Sequence, residues 1–335
     1  MDNKIISIVI PSYNMEDYLS RSVGSLLDDR INDYIEIIIV NDGSTDSTGR
    51  IAREYSTKYP QSIVAYDKPN GHYGSAVNAG ISLANGKYIK VLDADDWFDK
   101  ENFVNFVINL RDKETADVIF TRWSINDTSK GVVSHSLESK NKIGEKMDIK
   151  DIVWDSRPYS FYSFYGITYL TDLLKRIDYH QTEGVCYTDT EYSLYPLLKA
   201  QNAMFLDLDV YQYFIGRDGQ TITKEAIKKN IGHLFKIYTR MVESFDDSLV
   251  GIKRTFETNQ LLLIAQSLYV SYLFFNNKND VSKYNLSDLD SKLKIVSEEA
   301  YKKVGAISKF GIPYIWIWRK TGWRFNKIYS AIMNK

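Results

Sequence analysis

Short apolar runs alternate with amphipathic stretches through the first 120 residues. Residues 7–10, 35–40, 62–66, 88–92 and 116–121 are brief, continuous and rich in β-branched side chains. That is the pattern of strands buried on both faces. Between them, 17–27, 47–58, 74–84 and 101–111 repeat apolar positions at helical spacing. Alternating strand and helix predict an α/β fold, with a Rossmann-like, mostly parallel central sheet flanked by helices. In such sheets ligands bind beyond the carboxyl ends of the strands. The polar stretches PSYN (11–14), NDGSTD (41–46), KPNGHYG (68–74) and DADD (93–96) each follow a strand, and are therefore expected along one edge.

The pattern then loosens. Residues 122–160 are mixed and turn-rich. Residues 165–177 open as strand or helix and continue as a helix. A helix is predicted over 188–200, with Thr188 at its N-cap and acids in its first turn. Residues 203–215 are strand-like, and the periodicity is helical over 224–245, 250–276 and 286–304. A boundary near residue 220 thus separates an α/β body, 1–220, from a C-terminal helical extension, 221–335.

Charge changes the picture of the carboxyl end. Net charge is −1, yet residues 301–335 carry eight Lys/Arg and no acid, leaving 34 basic against 43 acidic residues before them. Trp316, Trp318 and Trp323 fall in the same tail. A basic, aromatic end on an acidic body points to an anionic partner. The single cysteine, Cys186, forms no internal disulfide and fits a reducing compartment. No signal peptide and no run of about 18 apolar residues is visible, so a cytoplasmic location is expected.

KYIKVLDADDWFD (87–99) ends a buried strand by crowding Asp93, Asp95 and Asp96 into four positions. Charges this close repel, and burying them is costly unless a cation sits among them. The plainer reading is that all three cap the next helix, because acids favour helix N-termini. A dinucleotide cofactor would require G-x-G-x-x-G after the first strand, and PSYNMED (11–17) has no glycine.

IVIPSYNMEDYLSRSVGSLL (8–27), EIIIVNDGSTDST (36–48) and NGHYGSAVNAGISLANGKYIKVLDADDWF (70–98) together resemble the family 2 glycosyltransferases in order and spacing. YTDTEYSLYPLL (187–198) extends the likeness toward residue 220. The resemblance implies a GT-A fold, with 1–110 as the nucleotide-sugar-binding half and 111–220 as the acceptor-binding half. It also implies transfer from a nucleotide diphosphate sugar with inversion at the anomeric carbon. A hard divalent ion, Mn2+ or Mg2+, would explain the acidic cluster, since such ions take carboxylate oxygens and neutralise a diphosphate.

By this resemblance Asp95 ligates the ion, Asp93 reaches the ribose or the ion's surroundings, and Asp96 supports them or caps a helix. Asp42 accepts a hydrogen bond from uracil N3–H, unless NDGSTD is a plain turn. Tyr13 stacks on the base, with Pro11 and Asn14 shaping the pocket, or fills the core instead. Asp46 caps the helix starting at Ser47. Gly71, Asn78 and Ala94 lie along the donor, where a helix start favours anions. The family's frequent arginine before the asparagine is Val77 here, leaving Lys68 or His72 to supply the charge. Asp189 matches the catalytic base, with Glu191 as runner-up, and a helix start favours its ionised form. In GRDGQTIT (216–223), Arg217 either contacts the diphosphate or lies in a surface loop.

The expected protein is thus a metal-dependent inverting glycosyltransferase of cell-surface glycan synthesis. Its expected partners are a nucleotide-sugar donor, a UDP-sugar first, and a saccharide or lipid-linked saccharide acceptor. Residues 306–335 either lie on an anionic membrane surface at the inner face of the cell membrane or pack on the core. No nucleic-acid partner is expected, because no reading module is recognisable. The helical region offers a surface for a homo-oligomer. Two other classes compete. A sugar-phosphate nucleotidyltransferase would open with a glycine-rich basic loop, which PSYNMED is not. Against a catalytically silent scaffold stand Asp42, Asp93, Asp95 and Asp189.

Overall fold

The computed structural model describes residues 4–128, 130–155, 162–217, 220, 223–309 and 311–326. It divides into two compact units, Met1–Arg217 and Asp218–Lys335. The first unit opens with β1 (Ile6–Ser12), α1 (Leu19–Gly24), β2 (Ile35–Asp42), α2 (Thr48–Lys58) and β3 (Ile63–Lys68). It continues with α3 (His72–Leu83), β4 (Tyr88–Val91), β5 (Trp97–Phe98) and α4 (Lys100–Asp112). Then come β6 (Val118–Asp127), β7 (Val132–His135), β8 (Lys146–Asp148), β9 (Ile167–Leu170), α5 (Thr171–Arg176), α6 (Asp189–Lys199) and β10 (Asn202–Ile215).

The sheet runs β3-β2-β1-β4-β9-β6-β10-β5, with β7 on β6 and β8 on β10. Strands β3, β2, β1 and β4 are all parallel, as the apolar runs predicted. Beyond β4 the sheet is mixed. Strand β9 inserts antiparallel between β4 and β6, while β6 and β10 pair in parallel. Strands β5, β7 and β8 are antiparallel additions. Register shifts between Leu206 and Tyr211 bulge β10 beside the polar edge, a device that re-aims side chains. Pro11 fits inside β1 because of where β4 stops. The Val9 carbonyl accepts from Leu92, and Pro11, two residues on, faces the same way past the end of β4. No ladder bond is lost there.

Helix α3 lies unusually close to the sheet. Its buried face is Gly74, Ser75, Ala76, Val77, Gly80 and Ile81, and a Cβ on Gly80 would overlap Val9. Helix α1 is shorter than the run 17–27 predicted. Past Gly24 the chain turns, and the Ser25 hydroxyl accepts the Phe98 N–H at 3.0 Å.

The second unit contains α7 (Lys224–Lys229), α8 (Ile231–Glu243), α9 (Gly251–Val270), α10 (Lys278–Val281), α11 (Leu286–Val296), α12 (Glu298–Gly305) and α13 (Tyr314–Thr321). Runs predicted as continuous are broken. Asn230 separates α7 from α8, and α9 passes into a π-helical turn, Ser271–Phe275. Ser297 ends α11 and caps α12 by accepting from Ala300 N–H. Much of the basic tail is internal structure. Tyr314, Ile315 and Trp318 are buried, Arg319 pairs with Asp290 at 2.7 Å, and Arg324 donates to the carbonyls of Tyr272 and Asn276. Trp316 and Trp323 are 53% and 55% exposed. Phe310 and residues 327–335 of the tail lie outside the described residues. Among the described residues, no helix is long and apolar enough to cross a membrane.

Candidate active site

The polar loops meet at the carboxyl edge of β1–β4, laced together by side chains. The Asn14 N–H donates to Ser44 Oγ, and Asn14 Oδ1 accepts from Thr45 N–H at 2.9 Å. Glu16 accepts from Ser47 N–H, and Asp46 accepts from Glu16 N–H and Thr48 N–H. Asp46 therefore supplies the acceptor at the start of α2. Tyr13, 46% exposed, stands free on this lacing. Asp42 is buried at the end of β2, and its Oδ1 accepts from Lys68 Nζ at 2.7 Å and Gly71 N–H at 3.0 Å. Lys68 is thereby tied to Asp42. Val77, where the family often carries arginine, is buried in α3.

The acidic cluster does not cap α4; Asp99 does, accepting Asn102 N–H at 2.9 Å. Asp96 is fully buried, and each of its oxygens takes one donor, Tyr211 O–H at 2.6 Å and Phe214 N–H at 2.8 Å. The same Tyr211 oxygen accepts Asp93 N–H. Asp93 Oδ1 accepts Tyr73 O–H at 2.7 Å. Asp95 forms an ion pair with Arg217 through its Oδ2. Its backbone carbonyl accepts from Arg21, whose guanidinium lies 4.1 Å over the Trp97 ring. Ala94 is buried between them. Burial, reinforced by Asp95 and Asp189, pushes the Asp93 carboxyl up to about 7 against the Tyr73 hydrogen bond and Arg217. Burial and its two acidic neighbours push Asp96 well above the usual range.

Asp189 begins α6, on a loop clamped from both sides. Asn78 exchanges hydrogen bonds with the Gln181 backbone, 2.8 and 3.0 Å, and also donates to Glu183. Glu191 is buried and accepts Thr182 N–H and O–H, both at 2.7 Å. Glu191 therefore clamps the loop to the first turn of α6. Gly71 accepts from Gly184 N–H, and a Cβ on Gly74 would overlap the Thr182 carbonyl. Thr188 holds the N-cap position without a side-chain cap, its hydroxyl buried and unpartnered. Asp189 reaches solvent, but the crowding protein raises its carboxyl, outweighing the Thr190 and Asp189 N–H groups that pull the other way. The helix start was expected to favour the ionised form; desolvation reverses that direction.

Three of these loops hold a non-glycine residue in the left-handed region: Asn14 (φ 54°), His72 (φ 64°) and Tyr187 (φ 69°). Such conformations persist only where surroundings enforce them, and they gather at functional sites. Carboxylate oxygens of Asp93, Asp95 and Asp96 lie within 4.8 Å of one another. An all-oxygen donor set at this spacing fits a hard divalent ion. Asp96 is fully buried and each of its oxygens already takes a protein donor, so Asp93 and Asp95 are better placed to hold such an ion. Tyr73, Tyr211 and Arg21 were missed from sequence. One of 25 tyrosines carries no signal, although Tyr73 lies inside the motif NGHYG.

The Glycosyl transferase family 2 profile matches residues 7–188. The chain is 28% identical over 228 residues to the minor teichoic acid biosynthesis protein GgaB of Bacillus subtilis strain 168, covering 67% of this chain but only 24% of that protein. It is 28% identical over 219 residues to the glycosyltransferase GlyG of Streptococcus pneumoniae serotype 4, covering 63% and 71% of the two chains. Among solved structures, S. aureus TarS 1-349 in complex with UDP-GlcNAc superposes with a TM-score of 0.62 at 17% identity, covering 95% of this chain and 92% of that one. That likeness is one of fold: the architecture is GT-A.

Proposed function

Because the chain belongs to glycosyl transferase family 2, we propose that this glycosyltransferase moves a sugar from a nucleotide diphosphate, uridine diphosphate first, onto a saccharide hydroxyl with inversion. The proposed product is a cell-surface polymer, and the proposed acceptor a lipid-linked saccharide met at the inner face of the membrane. The observation that carries this reading is Tyr73. Its hydroxyl bonds Asp93, and the charges of both Asp93 and Asp189 act on it. The two carboxylates that this reading puts on the donor and base sides therefore act on one hydroxyl. GgaB, named for teichoic acid biosynthesis, and TarS, solved with UDP-GlcNAc, support the polymer and the uridine donor.

In this reading Tyr13 stacks on the base and Asp42 receives its N3–H. Asp93 and Asp95 would hold Mn2+ or Mg2+, which would supply positive charge to the diphosphate leaving group. Asp189 takes the proton of the acceptor hydroxyl as that oxygen bonds the anomeric carbon. The bond to the diphosphate breaks on the opposite face, and the nucleoside diphosphate departs. The upward shift of Asp189 makes it a stronger base than an ordinary carboxylate. Asn78, Glu191 and Gly71 fix the loop that carries it.

Thermal shift with UDP and Mn2+, alongside transfer assays over UDP-sugars, tests the assignment. Asp189→Asn should keep nucleotide stabilisation and lose transfer by roughly 10²–10⁴-fold. Asp95→Asn should lose the metal-dependent part of that stabilisation. Wild-type turnover by Asp189→Asn would refute the base assignment.

A further inference from the structure

We propose that Arg217 is an internal cation that competes with the divalent ion for Asp95 and moves to the donor diphosphate when that ion binds, so that metal and donor bind cooperatively. The inference rests on the metal-and-donor reading above and goes beyond it. Asp95 is buried, and Arg217 is its ion-pair partner through Oδ2. The Arg217 side chain is largely buried as well, with its guanidinium 5.6 Å from the Tyr18 ring centroid. Arg21, the neighbouring cation, is committed elsewhere: it bonds the Asp95 carbonyl and stacks on Trp97 and Phe214. Arg217 is thus the cation on the carboxylate itself.

A divalent ion ligated by Asp95 would stand within a few ångströms of that guanidinium, and the two positive charges repel. Metal binding alone therefore works against the guanidinium already on Asp95 Oδ2, which weakens it. A nucleotide diphosphate changes the balance. Its phosphates offer the displaced guanidinium a planar, bidentate partner, at the cleft where Val77 supplies no charge. Each ligand then removes an obstacle to the other, and linkage requires the coupling to be reciprocal.

The test is Mn2+ binding to the full chain, read by electron paramagnetic resonance of the free ion, with and without UDP. Arg217→Gln should bind Mn2+ alone more tightly than wild type, on the order of fivefold. The same variant should show a smaller gain in Mn2+ affinity when UDP is added. Arg217→Lys, which keeps the charge, should stay near wild type in Mn2+ affinity. Circular dichroism verifies that each variant is folded. Unchanged or weaker binding of Mn2+ alone by folded Arg217→Gln would overturn the proposal. Asp95→Asn separates the two levels. If it abolishes Mn2+ binding while Arg217→Gln does not tighten it, only the competition fails. If Asp95→Asn binds Mn2+ like wild type, the metal reading fails and takes the competition with it.

Discussion

Lys90 stands on β4, three residues before Asp93, with no solvent exposure. Its ammonium donates to the carbonyls of Tyr165 and Ile167 at 2.8 and 3.1 Å and faces the rings of Tyr211 and Phe98. No carboxylate is among these contacts, and burial pulls the group down to about 7. An unfolded lysine holds its proton to about 10.4. Between these values the unfolded chain binds more protons than the fold, so the Lys90 contribution to stability rises with pH. Below about 7 both states are charged and the full desolvation penalty applies. Unfolding free energies from urea titrations between pH 7 and 9.5 should therefore climb more steeply for wild type than for Lys90→Met, the difference reaching a few kcal/mol. Parallel curves would place the ammonium in a solvated environment. The apolar run 88–92 was legible as a buried strand, but nothing in it shows where the Lys90 ammonium goes, because its carbonyl partners come from residues 165 and 167. Asp42, Asp93, Asp95 and Asp189 were legible as candidates because each interrupts an apolar or helical pattern at an element's end. Their partners Tyr73, Tyr211 and Arg217 were less so, because those contacts are made by distant segments.

At the scale of elements, α3 shows how the site is brought to the sheet edge. Gly80 packs onto Val9 of β1, and Gly74 at the other end admits the Thr182 carbonyl of the base loop. Gly80→Ala must push the helix outward and should lower stability by about 1–3 kcal/mol, measured by denaturant unfolding. Gly24→Ala is the control: nothing lies within 4 Å of the added carbon and its φ is ordinary, so it should be neutral or slightly stabilising. Equal losses for both would mean that α3 packing is not the cause. The parallel half, β3-β2-β1-β4, was legible because buried apolar runs and intervening helices alternate there. Strands β6 and β10 were legible as strands from 116–121 and 203–215, but β9 between β4 and β6 was not. β9 is a four-residue strand after a 3-10 turn, Phe164–Gly166, and short apolar segments carry no period from which to infer direction. Helix breaks at Asn230 and Ser297 were also missed, since periodicity continues across a cap.

Across the whole molecule, the polarisation of charge was legible but its use was not. Arg319 and Arg324, counted among the basic tail, neutralise Asp290 and cap carbonyls inside the helical unit. Trp318 is buried with them, whereas Trp316, Trp323 and Ile312 remain exposed. Exposed tryptophan beside exposed Lys320 suits the headgroup region, where an indole enters the apolar boundary and a cation meets anionic lipid. Each surface substitution there should change stability by no more than about 0.5 kcal/mol, so binding can be read without unfolding the chain. In flotation with phosphatidylglycerol vesicles, wild type should rise with the lipid and Trp316→Ala/Trp323→Ala should largely stay behind. Pure phosphatidylcholine, or salt raised toward 1 M, should weaken the wild type, because the Debye length shrinks to about 3 Å. Equal flotation of wild type and the double variant would remove the two tryptophans as an anchor. If neither floats, the carboxyl-terminal helices serve packing alone, and a lipid-linked acceptor would have to reach the cleft without help from this surface.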